Sequence, residues 1–81
     1  MILSEHARKE MLQDRIDEAE IKACLEYGKL VIKQLVKEEM RYGRQLEPKN
    51  KRIIAIYTHE KSERRIITAY AVRRKRWQER E

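Results

Sequence analysis

At Gly28 the apolar spacing changes from a helical period to a strand period, and this switch restricts the fold more than any other feature of the chain. Upstream, Ser4 is a good N-cap, and Ala7, Met11 and Leu12 recur at helical spacing, which predicts a helix over residues 5–14. Asp17 followed by Glu20, with Ile16 placed to staple onto Ile21, predicts a second helix over residues 18–27. Gly28 then stands where a left-handed C-terminal residue is wanted. Both helices are too short to persist alone, so packing must hold them.

Downstream, Leu30 to Val36 reads as a strand. A helix over residues 29–40 is the alternative, but its amphipathic pattern is poor. Met40 to Leu46 alternates as a half-buried strand does. Glu47 to Lys51 is a turn with Pro48 and Asn50 in it. Arg52 to Thr58, rich in β-branched residues, is the clearest strand, and residues 64–72 form the last one after a turn at His59 to Glu63. Short links imply antiparallel neighbours. The expected fold is therefore α+β: two short N-terminal helices packed on a three- to four-stranded antiparallel sheet, in two layers. Strands 52–58 and 64–72 are apolar on both faces, so they are expected to be central, or to meet a partner.

At 81 residues the chain is one domain, 1–81, with a basic tail at 73–81. A domain of this size buries only about 60% of its unfolded surface, so an oligomer or a partner protein would help it. Cys24 is the only cysteine; it reads as a buried helix residue in a protein of the reducing cytoplasm. Interrupted apolar runs leave no membrane span, and the start lacks the pattern of a signal peptide. No glycine-rich phosphate loop, dinucleotide fingerprint or metal-ligand cluster is present, so no cofactor and no metal are expected.

Charge is divided unevenly. Residues 1–28 carry a net −3 and residues 29–81 a net +9, which gives the overall +6. The last strand runs directly into Arg73, Arg74, Lys75, Arg76 and Trp77. A cation cluster tied to a strand suits polyphosphate, and a neighbouring tryptophan suits base stacking; a solvated tail and a ring folded back on the core are the plainer readings.

The residues Leu3-Ser4-Glu5-His6-Ala7, Met11, Ile16 to Ile21, Arg52 to Ile56 and Ile66 to Tyr70 resemble a widespread family of small bacterial and archaeal domains related to BrnT and, more distantly, to RelE. The stretch Ile67 to Arg74 is also similar to the ending of BrnT. The resemblance implies a RelE-like helix-plus-sheet fold and metal-independent endoribonuclease activity on RNA, free or ribosome-bound. It also implies a toxin masked by an antitoxin protein. The chain departs from the family pattern at Glu10 and Asp14, where arginines are expected, and at Arg15, where glycine is common.

Metal-free RNA cleavage needs proton exchange and fixed cations on the phosphate. The candidates for catalysis are His6, whose imidazole exchanges protons near neutrality, together with Arg44, Arg65, Arg73 and Tyr70. Arg41, Arg73, Arg74, Lys75, Arg76 and Trp77 are the candidates for nucleic-acid contact. Arg41 and Arg44 are an odd number of residues apart on a strand, so only one of them faces a given site. For His6 the plainer reading is a ring packed against the strands. For Tyr57 and Tyr70 it is core or rim packing, and for His59 an exposed turn residue. Two further functions stay open: a non-catalytic nucleic-acid-binding module, and an interaction domain that uses an exposed sheet face or edge.

Overall fold

The computed structural model describes residues 1–73. In chain order the elements are β1 (Ile2–Leu3), α1 (Glu5–Asp14), α2 (Glu18–Tyr27), β2 (Lys29–Val36), β3 (Glu39–Leu46), β4 (Lys51–Glu60) and β5 (Glu63–Arg73). The strands form one sheet in the order β1-β5-β4-β3-β2.

The expected sheet of three or four antiparallel strands is overturned. The sheet has five strands and is mixed, because β1 pairs parallel with β5 through Ile2–Arg65 and Leu3–Ile66. The chain therefore opens on a strand, and strand outweighs helix. A two-residue strand has no period to read, so the pattern of Ile2 and Leu3 gave no sign of it. The remaining strands follow as an antiparallel meander, with β4 and β5 inside the sheet.

Both helix starts follow from their side chains. The Ser4 hydroxyl accepts from the Ala7 N–H at 3.0 Å, while Asp17 and Glu20 form a reciprocal capping box. Helix α1 ends at Arg15 in the left-handed region, at φ 56°, where glycine is the easier residue. Gly28 instead is extended, at φ −72°, which corrects the expected left-handed cap. Its need is steric: a Cβ there would lie 2.3 Å from the Cys24 carbonyl oxygen and 2.9 Å from that of Gln45.

Helix α1 packs on β5, and α2 packs on β4 and β3. Alternation and register assign the faces. Tyr42, Arg44, Ile53, Ala55, Tyr57, His59, Arg64, Ile66 and Ala69 point to the helices. Ile32, Arg41, Gly43, Ile54, Ile56, Arg65 and Tyr70 point to the open face. A register shift between Ile56 and Tyr57 leaves Ile67 as an extra residue and keeps Tyr57 opposite Ile66. The core is thin. Ile21, Cys24, Ile53 and Ile66 are its largest wholly enclosed side chains.

Candidate functional site

Tyr57 is the centre of the most highly organised polar cluster. Its ring stacks on Tyr42 at 5.6 Å between centroids and meets His59 edge-on at 5.8 Å. Tyr42 and His59 also touch, at 5.3 Å. The guanidinium of Arg64 lies 5.3 Å from the Tyr57 ring centre. Arg44 Nε donates to the Tyr57 hydroxyl at 3.0 Å, and Arg44 Nη1 donates to the Gly28 carbonyl at 3.0 Å. These contacts enclose Tyr57, which is 2% exposed, while His59 remains exposed and Tyr42, Arg44 and Arg64 are half-buried.

The strands account for this convergence. Tyr57 and His59 are two apart on β4 and so share a face. Register sets Tyr42 opposite Tyr57 and Arg64 opposite His59. Arg44 reaches the cluster from β3, two residues on from Tyr42. Between α2 and the β4–β5 turn lies an open hollow of about 760 Å³, bordered by Lys22, Glu26, Arg44, Glu63 and Arg64. Cations therefore outnumber carboxylates on its side-chain rim.

The other candidates are dispersed. His6 is on the outer side of α1, with Nε2 3.2 Å from Glu10 Oε1, and does not reach the hollow. Arg65 and Tyr70 are on the open face, opposite to Arg44. Arg41 and Arg65 do come together there, at 3.2 and 3.4 Å from the two oxygens of Glu39. Arg65 Nε is also 3.3 Å from Glu60 Oε2, close enough for ion pairing but too poorly aligned for a hydrogen bond. As their odd spacing requires, Arg41 and Arg44 point to opposite faces.

Arg73 closes the far end of β5, where it borders a smaller hollow of about 250 Å³ with Lys49, Lys51 and Arg52. The cations there are largely committed: Lys51 to Glu20, Arg52 to Glu47, and Arg73 Nη2 to the Asp14 carbonyl. Arg74, Lys75, Arg76 and Trp77 lie outside the described residues.

The sequence pattern assigns no chemistry to Arg64 and reads His59 as an exposed turn residue. The expected turn at His59 to Glu63 is shorter than the sequence suggests, because β4 continues to Glu60 and β5 begins at Glu63. The available signal was the alternation Tyr57-x-His59, which carries the strand through the histidine. Cys24 is wholly buried and its thiol donates to the Arg44 carbonyl at 3.1 Å; burial pushes that thiol above its ordinary range. This is the environment of an inert core cysteine. Among the described residues, no three His, Cys, Asp or Glu side chains are grouped to hold a metal ion, and no helix is long and apolar enough to cross a membrane.

The fold is thus that of a small mixed-sheet α+β domain with a cation-rimmed hollow at one end and an aromatic cluster that shares Arg44 and Arg64 with it. The chain belongs to the family described as domain of unknown function (DUF4258), which matches residues 3–71. No curated protein matches the chain, and no solved structure does.

Proposed function

We propose that the domain is a metal-independent endoribonuclease related to the BrnT- and RelE-like toxins, acting on cytoplasmic RNA at the Arg44–Tyr57–His59–Arg64 cluster. One observation carries the reading: two guanidinium groups and an exposed imidazole converge on a single enclosed tyrosine, Arg44 at its hydroxyl and Arg64 over its ring. In this scheme Arg44 and Arg64 hold the non-bridging oxygens of the scissile phosphate. His59 accepts the proton of the ribose 2′-hydroxyl, whose oxygen attacks phosphorus. The bond to the 5′-oxygen breaks, and that oxygen takes a proton from water. The products are a 2′,3′-cyclic phosphate and a 5′-hydroxyl. Tyr42, half-buried beside His59, offers a face on which a base stacks. A protein antitoxin would mask this end of the domain.

The test is to incubate the purified protein with single-stranded RNA in excess chelator. Cleavage is expected, with a cyclic phosphate end, and His59→Ala should abolish it while His6→Ala leaves it unchanged. Intact RNA with retained, salt-sensitive binding would replace this reading by a non-catalytic RNA-binding module. That second reading is favoured by the engagement of Arg44 with Tyr57 and Gly28, which already occupies two of its donors.

A further inference from the structure

The two edges of the sheet are treated differently. Along β5, β1 pairs with Arg65 and Ile66, and Ser4 then donates to the Ile66 carbonyl from its backbone N–H and to the Ile67 carbonyl from its hydroxyl, both at 3.0 Å. Beyond β1, Glu10 Oε1 accepts from the Ala69 N–H at 3.1 Å, and Asp14 Oδ2 accepts from the Ala71 N–H at 2.9 Å. Helix α1 thus takes the place of a missing strand with two carboxylates one turn apart. Among the described residues, β2 at the other edge pairs only with β3. Leu30, Val31 and Leu35 are 44%, 42% and 64% exposed there.

We infer that β2 is a docking edge for an extended segment of a partner protein that carries an acidic residue between two aliphatic ones on a single face, at every second position of the strand. The argument is charge and pattern. Lys29, Lys33 and Lys37 are exposed along this edge, and none makes an ion pair among the described residues. On the helix side, register places Lys33 between Leu30 and Leu35. An added strand satisfies the free backbone groups of β2, its aliphatic side chains cover Leu30 and Leu35, a carboxylate between them on the same face meets Lys33, and one on the opposite face meets Lys29. The left-handed pair Lys37 and Glu38, at φ 48° and 65°, makes the tight hairpin that holds β2 in place before anything docks. A second copy of the chain is disfavoured as occupant. It brings the same lysines to the same edge, on a molecule of net charge +6. The inference is independent of the RNA reading, because it uses none of the residues of the hollow.

The experiment uses the full chain and two capped synthetic peptides, one repeating valine-threonine-glutamate-threonine, which sets valine and glutamate in turn on one face, and one with lysine in place of glutamate. Fluorescence anisotropy should show binding of the glutamate peptide only, weakening as salt rises. Hydrogen exchange should show new protection confined to the amides of residues 29–36. Charge reversal of the three lysines (Lys29→Glu, Lys33→Glu, Lys37→Glu) should weaken binding by about tenfold or more, and Leu35→Asp tests the same edge without touching a lysine. Leu12→Glu, on the exposed side of α1, should change nothing. The inference is overturned by equal binding of both peptides or none, or by protection elsewhere. Equal loss in Leu12→Glu also overturns it, as does the same protection produced by self-association or by added oligouridylate.

Discussion

Arg44 donates from Nε to the hydroxyl of Tyr57 at 3.0 Å, which ties the guanidinium of β3 to an enclosed ring of β4. Tyr57→Phe keeps the stack on Tyr42 and the Arg64 contact but removes the acceptor. A half-buried charged donor left unpaired costs about 1–2 kcal/mol, which should appear as a lower urea midpoint. RNA cleavage should fall in parallel, because Arg44 loses one of its two anchors. Arg44→Lys should lower activity further, since an ammonium lacks the planar fork that spans Tyr57 and Gly28. Unchanged cleavage in both variants would remove Arg44 from the site.

Glu10 closes the edge of β5 by accepting from the Ala69 N–H and from the Thr68 hydroxyl. Glu10→Ala leaves both donors without a partner and should destabilise the domain by about 1–3 kcal/mol. Glu10→Gln keeps an acceptor oxygen and should lose less. Hydrogen exchange is the specific readout: the Ala69 amide should exchange faster in Glu10→Ala, and the Ala71 amide faster in Asp14→Ala. If only global stability changed, with the exchange pattern preserved, these carboxylates would not be acting as edge caps.

The same two carboxylates separate what local sequence encodes from what only the folded sheet creates. Local chemistry was legible: Ser4 caps α1, the Asp17–Glu20 box starts α2, and the β-branched run at Ile53 and Ile54 lies in β4. What was lost depends on register between distant strands. Glu10 and Asp14 read as departures from an arginine pattern, and their bonds to a strand 59 and 57 residues away are invisible in one dimension. Ile2 and Leu3 make a strand only because β5 offers them an edge. The candidate residues are dispersed for a related reason. His6 has the residue type for proton exchange and a place in the first turn of a helix, but the face it occupies is set by Ala7 and Met11 turning inward. His59 reads as a turn residue in the sequence, but β4 continues through it and sets it opposite Arg64. Arg65 and Tyr70 fall on the open face because Ile67 is an extra residue in β5, and no composition signal announces a bulge.

Gly43 gives the open face its close packing. An added Cβ would stand 2.8 Å from Ile32 Cβ and 2.9 Å from Ile32 Cδ1, so the Ile32 side chain lies directly over the β3 backbone. Gly43→Ala should destabilise the domain by about 1–3 kcal/mol through overpacking, although the backbone there suits any residue. The double variant Gly43→Ala with Ile32→Ala should recover part of the loss, measured as a coupling energy by urea unfolding. Simple additivity would mean that the two residues do not compete for this space.

Glu20 links acid stability to the packing of α2 on the start of β4. The ammonium of Lys51 hydrogen-bonds its carboxylate and the Asp17 N–H adds to this, so the carboxyl is held below its ordinary value of 4.5 even though burial works the other way. A carboxyl whose folded pKa lies below its unfolded one stabilises the protein above the unfolded value, and that contribution is lost as pH falls through the folded one. Thermal midpoints followed downward from pH 4.5 should therefore fall more steeply for the natural protein than for Lys51→Met, in which the main cause of the depression is gone. Above that range the two curves should run parallel. Curves that stay parallel into acid would show that the Lys51 contact contributes nothing to folding.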